Sequence, residues 1–223
     1  MSMKKLSLSL FLIVFVCFKI SAQQYQNPEY IKVTNERATK IVAKLKLVSA
    51  DKETAVITII AQQFRDLSKI QDERDTEIAK VKENTLSKEE QKTKIEKLKL
   101  DADLLITKLH QSYLGKLGNQ LNEDQIIGVK DGMTYGVLPI TYAGYQDMLP
   151  KLTEDQKSYI YKNLVEAREF AMDGGSSKEK HGWFGKYKGR INNYLSKQGY
   201  DLNKESADWH DRVAAREKEK SKK

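Results

Sequence analysis

The chain contains 12 glycines, and every one lies between Gly115 and Gly199. Residues 23–114 contain none. So long a run without glycine offers few low-cost sites for tight turns or left-handed backbone, and it favours long continuous helices. The remainder is punctuated, and it holds both tryptophans, Trp183 and Trp209, and eight of the 11 tyrosines. This contrast organises the chain into a helical segment, 23–114, and a Gly/Tyr-rich helical part of the same domain, 115–217. Residues 218–223 read as a disordered basic tail. The expected fold is mainly α, a helical bundle with a long antiparallel hairpin and little or no sheet.

The hairpin is read from periodicity. From Asp51 to about Glu83, the positions Ile60, Gln63, Leu67, Ile70, Arg74, Glu77 and Val81 alternate in steps of three and four. From Lys88 to Leu114, Ile95, Leu98, Ala102, Leu105, Leu109 and Ser112 repeat the pattern. Two such helices joined around Asn84-Thr85-Leu86 make an antiparallel pair. Its tip, Asp72–Lys97, is charged with both signs mixed, which reads as a solvated arm. An earlier helix is read over Tyr30–Leu47.

Helix starts are well marked. Ser87-Lys-Glu-Glu90 and Thr153-Glu-Asp-Gln156 are capping boxes, and Asn122-Glu-Asp-Gln125 is a close variant. After Thr153, Ile160, Leu164, Ala167 and Ala171 form the apolar face of a helix that ends at Asp173-Gly174-Gly175. Further helices are expected over Lys178–Lys197 and Asn203–Glu217. Between the caps, Asp131-Gly132 reads as a turn. Two readings stay open there: an extended edge segment over Thr134–Tyr142, restricted by Pro139, or a short helix from Tyr142 to Met148.

The first 22 residues have the layout of a secretory signal peptide. Lys4 and Lys5 precede an apolar run from Leu6 to Phe18, and Ile20-Ser21-Ala22 ends in small residues. Cleavage is expected after Ala22, leaving no stable membrane anchor. Cys17, the single cysteine, belongs to the apolar run, and bulky Phe15-Val16 before it argues against lipidation. The mature chain then lacks thiols, which suits an oxidising periplasmic or extracellular compartment. The formal charge of +8, from 39 basic and 31 acidic residues, loses Lys4, Lys5 and Lys19 and becomes +5. Lys and acid alternate along the chain, so no basic face is implied and no nucleic-acid partner is expected.

No nucleophile elbow, phosphate loop, dinucleotide fingerprint or zinc-protease motif is present. His110, His181 and His210 lack ligand spacing, and neither a metal nor another cofactor is expected. One aromatic-basic cluster stands out, from His181 to Tyr194. On a helix, Trp183, Tyr187 and Ile191 share a face, which by itself describes a buried stripe. Gly182, Gly185 and Gly189 are costly in a helix, about 1 kcal/mol each relative to alanine, and call for a reason such as close approach or room for a ligand. Rings beside Lys186, Arg190, Asn192 and Asn193 suit a polyhydroxylated ligand, which offers a C–H face to a ring and hydroxyls to amides and guanidinium.

Four stretches, Asp131-Gly-Met-Thr-Tyr-Gly, Leu152-Thr-Glu-Asp-Gln, Ala171-Met-Asp-Gly-Gly-Ser-Ser-Lys-Glu-Lys-His and Phe184-Gly-Lys-Tyr-Lys-Gly-Arg-Ile-Asn-Asn-Tyr-Leu, together resemble a secreted Bacteroidota family known as a domain of unknown function (DUF3826-like). The resemblance implies an exported helical protein and raises a sugar as its ligand. It transfers no catalytic residue. The leading expectation is an exported, non-catalytic carbohydrate-binding or polysaccharide-utilisation accessory whose partner is a polysaccharide or oligosaccharide. Its candidate ligand site joins Tyr135, Tyr142, Tyr145, Arg168, Asp173, His181, Trp183, Lys186, Tyr187, Arg190 and Asn193. The alternative is a periplasmic helical chaperone-like or stress protein, and a third reading is a glycan-active hydrolase or lyase.

Overall fold

The computed structural model describes residues 27–221. The signal-peptide reading of 1–22 lies outside the described residues, as do Lys222 and Lys223. The described residues form eight helices and no strand: α1 (Pro28–Val42), α2 (Ala50–Glu83), α3 (Lys88–Gly118), α4 (Glu123–Met133), α5 (Val137–Met148), α6 (Glu154–Met172), α7 (Ser177–Lys197) and α8 (Leu202–Lys220). The chain is mainly α. The extended reading of 134–142 gives way to α5. Pro139 is the third residue of that helix, where a missing N–H removes no intrahelical bond. The chain divides into two compact units between Ile126 and Ile127, inside α4.

In the first unit α1 packs on α2, and α2 packs on α3 as an antiparallel hairpin. The two arms have 34 and 31 residues, so each is roughly 50 Å long at 1.5 Å per residue. Ser49 caps α2 by accepting from Lys52 N. Ser87 and Glu90 close a capping box on α3, and the Ser87 donors hold the Glu90 carboxyl below its ordinary value. The seam differs in detail from the heptad expectation. Ile60, Gln63, Leu67 and Ala102 are buried, but Gln71 rather than Ile70 continues the row. On α3 it passes to Tyr113 and Leu117, leaving Leu105 and Ser112 exposed. A helix of 3.6 residues per turn drifts about 20° per heptad, so a strict seven-residue row walks off the contact line. α3 also runs through Gly115 and Gly118, where the sequence pattern stopped at Leu114.

In the second unit α6 lies along α7, α5 packs on α6, and α8 meets both α5 and α7. Ile160, Leu164, Ala167 and Ala171 of α6 are completely buried, with Phe184, Tyr187, Ile191 and Leu195 of α7 in the same core. Each large apolar side chain of this kind contributes about 1.5–3 kcal/mol. Thr153–Gln156 forms its capping box on α6, and a third box, Ser176–Glu179, starts α7. Each cap contributes roughly 1 kcal/mol.

The last helix is held differently. It extends to Lys220, three residues beyond the expected end, and none of its side chains is buried. Its tether is Asp147, near the C-terminus of α5. The Asp147 carboxylate accepts from Arg216 Nη1 and Nη2 at 2.9 and 2.7 Å and from Trp209 Nε1 at 2.6 Å. Arg212 Nη2 donates to the Asp147 and Met148 carbonyls. Arg216 foremost, then Trp209, pulls the carboxyl from 3.8 down to about 2. A carboxyl lowered on folding stabilises the docked helix above its unfolded value, and this contribution is lost as pH falls through the folded one. Acidification from pH 4 to pH 2 should therefore weaken the docking of α8, read as a shift of the Trp209 indole resonance. Asp147→Asn should weaken docking at neutral pH and flatten that acid step.

Candidate functional site

All eleven candidate residues lie in the second unit. The site begins at the α4–α5 junction. Asp131 and Gly132 remain helical, because α4 continues to the buried Met133, and the turn falls three residues later than the Asp-Gly pair suggested. Gly136 N donates to Asp131 O at 2.8 Å, and Thr134 Oγ1 donates to Lys130 O at 2.9 Å. Tyr135 and Gly136 are both left-handed, at φ 59° and 68°. Glycine takes that conformation without strain, whereas a tyrosine there costs about 1 kcal/mol. The reward is placement: Tyr135 stands out from the surface and stacks on His181, ring centroids 5.8 Å apart.

Beneath this turn lies a charged lattice joining α4 to α6. Arg168, 4% exposed, donates from Nη1 to Asp131 Oδ1 at 2.8 Å. Lys130 Nζ meets Glu169 Oε2 at 2.6 Å. Arg168 Nε lies 3.6 Å from Glu169 Oε1 and has no hydrogen-bond partner. Arg168 is therefore a buried cation with one strong partner and one distant one. At the end of α6, Asp173 is the C-cap residue, and the buried Lys180 ammonium donates to the Ala171 and Met172 carbonyls at 3.0 and 2.9 Å. A lysine that satisfies the last carbonyls of a helix complements its dipole.

The aromatic part runs along α7. Trp183, Lys186, Tyr187 and Arg190 fall on one stripe. Trp183 is half-buried and stacks on Phe170 of α6, centroids 4.6 Å apart and planes 19° from parallel. Lys186 Nζ sits 4.9 Å from the Trp183 ring centre, and Arg190 Cζ sits 4.4 Å from that of Tyr187. Arg190 also reaches Glu166 Oε2 at 3.4 Å. The Tyr187 ring is buried, and burial first, then the Glu166 carboxylate, raises its hydroxyl pKa, with Arg190 opposing. Tyr187 thus belongs to the core, while Trp183, Lys186 and Arg190 rim it. Asn193 is exposed on the same helix.

Two further candidates stand apart from this stripe. Tyr145 is buried and donates to Asn192 Oδ1 at 2.6 Å, and burial pushes its pKa to about 12. Tyr142 meets Tyr161 edge-on at 5.2 Å. The eleven candidates therefore separate into the α7 stripe, the Tyr135–His181 stack, the Arg168 lattice, the Asp173 cap and two α5 tyrosines. A Cβ at Gly182, Gly185 or Gly189 would meet nothing within 4 Å, so close packing within the described residues does not account for them.

Sequence reasoning missed Phe170, Glu166, Lys130, Asp131, Glu169 and Lys180 as site residues, while Asn192, named beside the rings, accepts from Tyr145. Phe170 carried one usable signal: it is a large aromatic off the apolar stripe of α6. The ion-pair partners carried none, since carboxylates and lysines occur throughout. Among the described residues no group of three or more His, Cys, Asp or Glu side chains is placed to hold a metal ion.

The lattice yields a stability test. Asp131→Ala leaves Arg168 buried with only the distant Glu169, and should cost roughly 3 kcal/mol. The double variant Asp131→Leu/Arg168→Met removes both charges and should cost less than Asp131→Ala alone. Urea unfolding of the three proteins measures this.

Residues 31–215 match a family model described as "Protein of unknown function (DUF3826)". No curated protein matches the chain.

Proposed function

The chain belongs to the DUF3826 family of proteins of unknown function, and on that footing we propose that it is an exported, non-catalytic carbohydrate-binding accessory protein. The observation that carries this reading is the α6–α7 surface. Phe170, 45% exposed, extends the half-buried Trp183 ring outward. Lys186 lies over the Trp183 ring, and Arg190, paired with Glu166, lies over the neighbouring Tyr187 ring, which supplies donors and an acceptor along the stripe. A sugar ring presents C–H groups to an aromatic face and hydroxyls to such a rim, and each aromatic contact contributes about 0.5–1.5 kcal/mol beyond buried area. The open backbone at Gly182, Gly185 and Gly189 lies beside Lys186 and Asn193 on α7, which leaves room for an extended chain of sugar units. Every charged member of this rim has a structural partner or a ring, so the reading assigns it binding rather than bond cleavage. The export component rests on the N-terminal sequence alone.

Calorimetry with plant and algal polysaccharide fragments tests the proposal. Phe170→Ala and Arg190→Ala should each weaken binding about tenfold with the fold intact, since both side chains are exposed. Absence of binding to all fragments, or unchanged affinity in both variants, would overturn it.

One observation favours a second reading, a periplasmic helical chaperone-like protein. Leu100, Leu104 and Leu105 are more than half exposed on the hairpin arm α3. An apolar patch amid mixed charge suits transient contact with an unfolded client. Suppression of client aggregation that disappears in Leu100→Ser/Leu104→Ser would support it, and an inert wild-type protein would remove it.

A further inference from the structure

The root of the hairpin in the first unit contains a half-enclosed cavity of about 180 Å³. Thr58, Ile59, Gln62, Gln63 and Asp66 line it from α2, and Tyr113 and Lys116 line it from α3. Its polar groups are ordered before anything enters. Thr34 Oγ1, on α1, donates to Ile31 O and accepts from Arg65 Nη1 at 2.9 Å. Arg65 Nη2 donates to Gln62 Oε1 at 2.7 Å, and Gln62 Nε2 donates to Asp66 Oδ1 at 2.7 Å. This chain of bonds holds the Asp66 carboxylate in one orientation and engages one of its oxygens. The Gln63 side chain is 3% exposed, and its amide nitrogen has no hydrogen-bond partner. A buried donor left unmade is costly, so an occupant that supplies an acceptor gains what the empty cavity forfeits.

The charges of the lining narrow the occupant. Asp66 is anionic and Lys116 cationic, so the pair sums to zero. A simple anion would meet Lys116 and Gln63 but oppose Asp66, and a simple cation would do the reverse. A small molecule carrying both charges satisfies each group at once. Ile59 and the Tyr113 ring supply apolar wall for the rest of it. The volume equals that of roughly six liquid waters at about 30 Å³ each, which suits one free amino acid of moderate size.

We propose that this cavity is a binding site for a free α-amino acid with an apolar side chain. Its carboxylate accepts from Lys116 Nζ and the Gln63 amide, and its ammonium donates to the remaining oxygen of Asp66. The site is independent of the carbohydrate reading, which concerns the other unit.

Thermal unfolding and ¹H–¹⁵N spectra of the full chain test it, with L-leucine, L-valine and L-methionine as probes. Isocaproate, isoamylamine and glucose serve as comparisons. At least one amino acid should raise the melting temperature by several degrees and move the Gln63 side-chain amide resonances. Isocaproate and isoamylamine, which each keep one charge of leucine, should bind at least about tenfold more weakly. Lys116→Met, at an exposed position, should abolish the response without loss of fold. Gln63→Leu should also abolish it while keeping or raising the melting temperature of the unliganded protein, because it removes an orphan donor. A Gln63 that serves only packing would instead lower it. No response to any of the three amino acids overturns the proposal. So does an equal response to isocaproate, which would mark an anion site, or a response to glucose, which would mark a polyol site.

Discussion

The second unit depends on one apolar seam, the pairing of α6 with α7. Ile160, Leu164, Ala167 and Ala171 share one buried core with Phe184, Tyr187, Ile191 and Leu195 of α7. Because Tyr187 is committed to that seam, the positions beside it on the helix are fixed at its rim. Trp183 comes to rest on Phe170, and Arg190 lies over the Tyr187 ring. The surface proposed to meet a sugar is thus a by-product of core packing.

Polar contacts do the remaining positioning, and they are concentrated at helix ends. Four reciprocal caps, the Asn122–Gln125 variant included, fix where α3, α4, α6 and α7 begin. Lys180 closes the end of α6, and Asp131 ties the end of α4 to the C-terminal part of α6. The left-handed Tyr135 sits within this framework. A strained residue persists only where its surroundings over-determine it, and here the carbonyl of Asp131, engaged by Gly136 and Thr134, provides that constraint.

How much of this was legible follows from which signals are local. The capping boxes at Ser87 and Thr153 are four-residue patterns, and both form as the sequence implies. The apolar face of α6 is also local, and all four of its members are buried. The hairpin was legible as an element but not in its register, because Leu105 satisfies a seven-residue repeat that a nearly straight helix does not keep. Asp131-Gly132 resembled a turn, yet Val129 and Met133 are buried on the same helix and carry it past the glycine. The site was the least legible part. Arg168 was singled out, but its partners Asp131 and Glu169 could not be picked from 31 acids. Phe170 went unnoticed because an aromatic beside a secure helical stripe reads as an extension of that stripe.

The order of packing along the chain has a kinetic consequence. α1 meets α2, α2 meets α3, α5 meets α6 and α6 meets α7, so most contacts join neighbours in sequence. A topology of low contact order closes small loops first and reaches its native arrangement quickly. The longest spans belong to α8, whose tether to Asp147 lies 62 residues from Trp209 and 69 from Arg216. It should be the last element to dock during folding, and the first to leave when the chain opens.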